Sequence, residues 1–339
     1  MKILTEVLKN NTHSYTPIWL MRQAGRYLPE YRAIRSKTEF LDMCHNSELT
    51  TKITMQPIER FDFDAAIIFS DILLIPQALG MDLKFSDKIG PTLNKLKTLK
   101  DISNLNEHAL IKRLESIYES IATVRKKLSL KKSLIGFAGS PWTLAAYMLE
   151  GGSSKDFTTS KEFALNNTEA FTILISKLVT AVAKHLIMQI RAGADIVQLF
   201  DSWAGVLNET EFRKWSVEPT ARIVKIVKNE FPNIPIIGFP RGAGFLYEEY
   251  AKKTQIDIIG IDQYLSVDYI VKNLQKTNII QGNLDPIYLL LNNQETLLEE
   301  IMKIKNNFKK PFIFNLGHGI LPNTPLENVQ LLVDTVRKN

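Results

Sequence analysis

Cysteine is almost missing from this sequence: Cys44 is the only one among 339 residues. A lone thiol excludes an intramolecular disulfide, and with it a secreted disulfide scaffold. It also excludes a multi-Cys zinc or iron–sulfur site built by this chain alone. Histidine is scarce as well. His13, His45, His108, His185 and His318 form no H-x-x-x-H pair, and adjacent Cys44 and His45 are poorly placed to share one metal. No apolar run reaches the roughly 18 residues that a membrane span needs. The opening residues 1–9 are too short, and too broken by Glu6 and Lys9, for a secretory signal. There is no Ser/Gly linker, Walker loop, Gly-x-Gly-x-x-Gly or Gly-x-Ser-x-Gly elbow. Charge of one sign is not in large excess either: 42 basic residues face 36 acidic ones, for a net charge of +6. The lysines are scattered, unlike the concentrated tract of a nucleic-acid binder. The expectation is a cytoplasmic protein with no membrane or nucleic-acid partner; the charge permits an acidic small-molecule substrate without demonstrating one.

What is present is an ordinary globular mix, 45% hydrophobic and 23% charged. Eight short β-branched or aromatic runs recur at 17–21, 65–69, 133–138, 195–200, 234–239, 257–261, 278–281 and 311–315. Most are near-continuously apolar, as strands buried on both faces of a parallel sheet are. Amphipathic stretches with apolar residues three and four apart lie between them, at 107–128, 169–190, 212–229, 247–253, 267–275, 295–306 and 326–336. Eight strands alternating with helices in a linker-free chain predict an α/β protein. Its expected architecture is a single (β/α)8 barrel domain over 1–339. Helical and hairpin insertions take up 72–105 and 139–168, with a hairpin around Leu83–Phe85 and Pro91–Leu93.

In such barrels chemistry collects at the C-terminal strand ends. Here those ends carry Arg22, Ser70-Asp71, Gly139-Ser140, Asp201-Ser202, Pro240-Arg241, Asp262, Gly282-Asn283 and Gly317-His318-Gly319, whereas the opposite ends are ordinary. The asymmetry predicts one polar pocket on one face. The first strand runs into a loop holding Arg22, Arg26 and Arg32, with Gly25 allowing a tight turn and open amides. Guanidinium forks suit carboxylates or phosphates; the plain alternative is pairing with surface acids such as Glu30 or Glu39. Asp71 reads as a general base, a ligand to N–H groups, or merely a helix cap. Ser140 and Pro141 read as N-cap and first helical residue. Tyr147, six residues further on, reads as a ligand contact or a core tyrosine.

The string Trp19-Leu20-Met21-Arg22-Gln23-Ala24-Gly25-Arg26-Tyr27-Leu28-Pro29-Glu30-Tyr31-Arg32 resembles the N-terminal signature of the uroporphyrinogen decarboxylase family. Residues 136–151, Phe69-Ser70-Asp71-Ile72-Leu73, Leu199-Phe200-Asp201-Ser202-Trp203-Ala204-Gly205 and Asn315-Leu316-Gly317-His318-Gly319 are similar to further motifs of that family, in order. The resemblance implies a (β/α)8 barrel and a decarboxylase of haem and porphyrin biosynthesis that uses no metal or organic cofactor. It would turn the four acetates of uroporphyrinogen III into the methyls of coproporphyrinogen III. It implies Asp71 and Arg22 as catalytic, and Arg22, Gln23, Ala24, Gly25, Arg26, Asp71, Tyr147, Ser202 and His318 as substrate-binding. It also implies a homodimer. The proton donor stays open between Arg22, Asp71 and a water. A superfamily methyltransferase, normally needing a His/Cys zinc site, and a non-catalytic anion binder are the alternatives.

Overall fold

The computed structural model describes residues 2–8, 15–86 and 90–338; Met1, Lys9 and His13, used above, lie outside the described residues. The apolar runs become strands β1 (Ala65–Ile67), β4 (Ser133–Gly139), β5 (Ile196–Asp201), β6 (Ile236–Pro240), β7 (Ile258–Gly260), β8 (Ile279–Leu284) and β9 (Ile313–Leu316), and the expected hairpin is β2 (Leu83–Ser86) with β3 (Gly90–Leu93). The seven larger-sheet strands are all parallel, in the order β1-β4-β5-β6-β7-β8-β9. The eighth run, 17–21, sits between the two edges. Ile18 bridges Phe314 of β9, and its carbonyl accepts from the Asp64 N–H at 3.0 Å, beside β1. That contact on each side makes an eight-stave ring.

Near-continuous apolarity is explained by two cores. Trp19, Met21, Ala65, Ile67, Ile135, Ile196, Ile237, Phe239, Ile258 and Ile313 fill the inside of the ring. Their alternating neighbours Ile18, Leu20, Ala66, Ile68, Leu134, Val197, Ile236, Ile259 and Phe314 face the helices outside. The N-terminal helix Ile3–Val7 contributes Leu4 and Val7 to the inner cluster. Helix Thr168–Arg191 is long and apolar enough in composition to cross a bilayer. It instead buries Leu174, Leu178, Val182, His185 and Leu186 against the barrel, which accounts for its apolarity. The expected helix over 212–229 is interrupted by a π-turn at Arg213–Val217. Pro219 has no N–H to continue the ladder, and Ser216 donates to the Asp201 carboxylate at 2.6 Å.

At the N-terminal strand ends one device recurs. Asp64 accepts from the Ile18 N–H, Asp195 from Leu134 and Asp257 from Ile236, each at 2.8 Å. In each case the aspartate precedes one strand and holds the start of the strand before it. Arg125 reinforces Asp195, Lys228 reinforces Asp257, and Arg337 and Tyr15 reinforce Asp64.

Candidate active site

Arg22 is placed by the way the first stave ends. The Met21 N–H donates to Asn315 Oδ1 at 3.0 Å, and the Met21 carbonyl accepts from Ile320 at 2.9 Å. The chain then turns through Arg22 in a left-handed conformation, φ 62°, a strained choice for a side-chain-bearing residue of the kind that gathers at functional sites. The side chain lies across Gly319, where a Cβ would come within 2.3 Å of Arg22 Cδ. It has open surface at the mouth but protein on most other sides. That enclosure lowers its pKa below the usual guanidinium value, opposed by the Asp71 and Tyr147 charges and assisted by Arg26 and Arg241.

Gln23 is fully buried, and its side chain is committed: Oε1 accepts from the Leu20 N–H and Nε2 donates to the Ala65 carbonyl. It locks the turn to β1. The backbone amides of Ala24, Gly25 and Arg26 have no acceptor among the described residues. A Cβ on Gly25 would lie 2.8 Å from the Arg22 carbonyl oxygen, so the turn needs glycine there. Glu30, a candidate partner for these arginines, is held by Arg60 instead. Arg22 and Arg26 have no carboxylate partner within ion-pair distance among the described residues. Beside Arg26 opens a cavity of about 820 Å³ lined also by Arg32, Ser36, Asn323 and Thr324. Asp71 is not in its wall, so it adjoins the mouth rather than forming its floor.

Asp71 follows β1, and its Oδ1 accepts from the Leu73 N–H at 2.8 Å, closing a turn ahead of helix Leu74–Ala78, whose own N-cap position is Leu73. Oδ2 has no protein donor among the described residues. Burial raises its pKa from 3.8 to about 6, opposed by the Leu73 hydrogen bond and by Arg22. Tyr147, on helix Pro141–Glu150, responds to the charges of both Asp71 and Arg22; burial lifts its hydroxyl above the usual range. Trp203 packs on its ring at 6.1 Å and tempers that shift. The indole N–H nevertheless closes no hydrogen bond of good geometry and stays buried without an acceptor. Ser202 is the residue before Trp203, half-buried just past β5. His318 is pushed down to about 3, chiefly by burial and then by Arg22 and Arg241, so it is neutral at physiological pH. Ser140 sits at the N-cap position, yet its hydroxyl makes no cap and is buried without a partner. Asp201 is not in the group: both its oxygens are taken, by Thr143 and Ser216.

Electrostatic coupling thus ties Arg22, Arg26, Asp71, Tyr147 and His318 into one mouth. It adds Arg241, which the sequence placed at a strand end without a role. A family model described as uroporphyrinogen decarboxylase (URO-D) matches residues 1–339. The chain belongs to the uroporphyrinogen decarboxylase family. Curated uroporphyrinogen decarboxylases of Rickettsia felis and Rhodospirillum rubrum are 49% and 45% identical to it, each match covering 99% of this chain and 97% of the relative. Among solved structures, a methyltransferase from Methanosarcina mazei superposes with a TM-score of 0.80 over 98% of this chain and 96% of its own. At 17% identity that is a likeness of fold alone. For this uroporphyrinogen decarboxylase family member, the parallel ring and that structural likeness agree on an α/β barrel.

Proposed function

We propose that this chain, as a single catalytic domain over 1–339, is a carboxy-lyase that converts the four acetate side chains of uroporphyrinogen III to methyls. The products are CO2 and coproporphyrinogen III, a step of porphyrin and haem synthesis. The observation that carries the reading is one enclosed carboxylate, Asp71, with a free oxygen, set among arginines that hold no acid of their own. Protonation of the pyrrole carbon next to an acetate makes the ring a cation. The ring then takes up the electrons of the breaking C–C bond, so the substrate is its own electron sink; a proton added to the resulting exocyclic methylene and loss of the ring-carbon proton leave a methyl on a restored pyrrole. Asp71 Oδ2 accepts pyrrole N–H bonds, and its charge opposes the cation as it forms. Arg22, Arg26 and the amides of Ala24 and Gly25 hold substrate carboxylates. Tyr147, Ser202 and neutral His318 complete the contacts, and Gln23 holds the loop to β1.

The test is CO2 and product analysis with enzymatically made uroporphyrinogen, with and without exhaustive chelation. Coproporphyrinogen should form at the same rate in both. No CO2 from the untreated enzyme overturns the reading; loss on chelation with recovery on adding zinc favours the methyltransferase-type alternative.

The cytoplasmic homodimer belongs to the same proposal. The single cysteine, fully buried, suits a reducing compartment. Phe245, 69% exposed, and Ile287, 49% exposed, leave apolar surface on the 3₁₀ turns after β6 and β8 for a second copy. Sedimentation equilibrium should give twice the 38.6 kDa chain mass; a monomer at micromolar concentration removes this part.

A further inference from the structure

Most arginines whose guanidinium lies near an acid in this structure are spoken for. Arg60, Arg125, Arg191, Arg213 and Arg337 each hold a carboxylate. Arg241 holds none among the described residues. Its Nε is buried without an acceptor, and its side-chain hydrogen bond there is a long 3.4 Å contact to the exposed Tyr264 hydroxyl. Five N–H donors in a fixed fork are left largely unused.

The side chain is nonetheless held in place by an elaborate backbone arrangement. The Arg241 N–H donates to the Asp201 carbonyl at 3.1 Å, and its own carbonyl accepts from Gly205 at 2.9 Å. Gly242 follows in a left-handed conformation, φ 80°, packed so closely that a Cβ on Gly205 would lie 2.7 Å from the Gly242 Cα. Asp262, buried at the end of β7, accepts from the Gly242 N–H and from the Tyr247 hydroxyl through Oδ2, and from the Tyr264 N–H through Oδ1. One carboxylate therefore fixes both the residue after Arg241 and the tyrosine whose ring centroid lies 5.9 Å from its guanidinium.

The strand order says where this cation points. Counting 17–21 as the first of eight staves, β6 is the fifth, diametrically across the ring from Arg22. Arg241 nevertheless lies near enough to Arg22 and His318 to act on both as a like charge, which places it at the same mouth. Two cations at opposite sides of one mouth, neither with a carboxylate partner among the described residues, favour a ligand that carries anionic groups at both ends.

We propose that Arg241 is a further carboxylate-binding residue, gripping the edge of the macrocycle opposite the one held by Arg22 and Arg26, with Tyr264 and Asp262 as its positioning residues. The inference rests on the decarboxylase reading. Asp71 and Arg22 are on the other arc, so Arg241 serves binding rather than the bond-breaking step.

Steady-state kinetics of Arg241→Ala and Arg241→Lys, with melting temperatures and a salt series, test it. The Ala variant should raise KM about tenfold or more while kcat stays within about threefold and the melting point is unchanged. Lys should recover much of the loss, and kcat/KM of the Ala variant should fall less steeply with salt. Wild-type kcat and KM in the Ala variant overturn the inference, and so does a lowered melting point with equal losses in Ala and Lys. A wild-type enzyme that releases no CO2 removes the decarboxylase reading instead, so the two failures are distinguishable.

Discussion

Asp71→Asn should lower kcat by about 10²–10³ while leaving the fold intact, the range for removing one preorganised transition-state contact. Asparagine keeps an oxygen that can still accept from the Leu73 N–H, so the turn into the following helix survives. What it loses is the charge that opposes the ring cation. Stability should move the other way. In the folded protein the carboxyl titrates at about 6, against 3.8 unconstrained. A raised acid binds protons more tightly when folded, so its penalty is absent below the unfolded pKa and fully present above about 6. The Asn variant escapes that penalty and should melt higher than wild type at pH 7–8. The wild-type kcat/KM should fall as pH drops through about 6, as the anion is lost, and the Asn variant should lack that limb. Asp71→Glu keeps the charge, displaced by one methylene, and should retain more activity than Asn. A near-normal rate with a lower melting point in the Asn variant would leave Asp71 as a helix cap and sink the mechanism.

Gly319→Ala should cost about 10² in kcat/KM without unfolding the protein. The glycine is not in the left-handed region, so alanine suits the backbone. Its methyl, however, would meet Arg22 at Cδ, Cγ and Nε, at 2.3, 2.7 and 2.9 Å. The backbone is pinned one residue earlier, at Met21, by Asn315 and Ile320, so the Arg22 side chain is the part that yields, swinging toward the open mouth. Displacing a positioned catalytic group by about 1 Å costs on the order of 10²-fold. Kinetics and a melting curve on the purified variant check this; unchanged kcat/KM would mean that Arg22 does not need the place it occupies.

All eight runs found by apolar pattern lie in the ring, and the hairpin is where its turn residues put it. The first stave shows why pattern alone falls short. Its N–H groups at Ile18, Leu20 and Met21 are taken by the side chains of Asp64, Gln23 and Asn315 rather than by backbone carbonyls of a neighbouring strand. Only the Ile18 bridge is regular. Nothing local in 17–21 encodes the distant partners Asp64 and Asn315. The same three-dimensional bookkeeping separates Gln23 from its loop neighbours: in sequence it lies among residues expected to face a ligand, in space it is a buried peg. The π-turn before Pro219 was half legible, since proline marks the place but the Ser216–Asp201 bond is remote. Arg241 could have been singled out by its position after β6 on the chemical face. What distinguishes it from a surface arginine is a guanidinium with no carboxylate partner among the described residues, and that is visible only in the fold.

The aspartates at the closed end of the barrel bear on how the strands avoid slipping. A strand with apolar residues on both faces loses little if it slides by one position, because every side chain still meets an apolar neighbour; an alternating strand would expose its core. Strands such as β5 and β6 have that ambiguity. Asp64, Asp195 and Asp257 remove it, because each carboxylate reaches one particular amide of the adjoining strand. A shift by one residue would leave a partly buried anion without its donor. Alignment of the barrel is thus written in charge at one end, which frees the other end to carry residues chosen for reactivity alone.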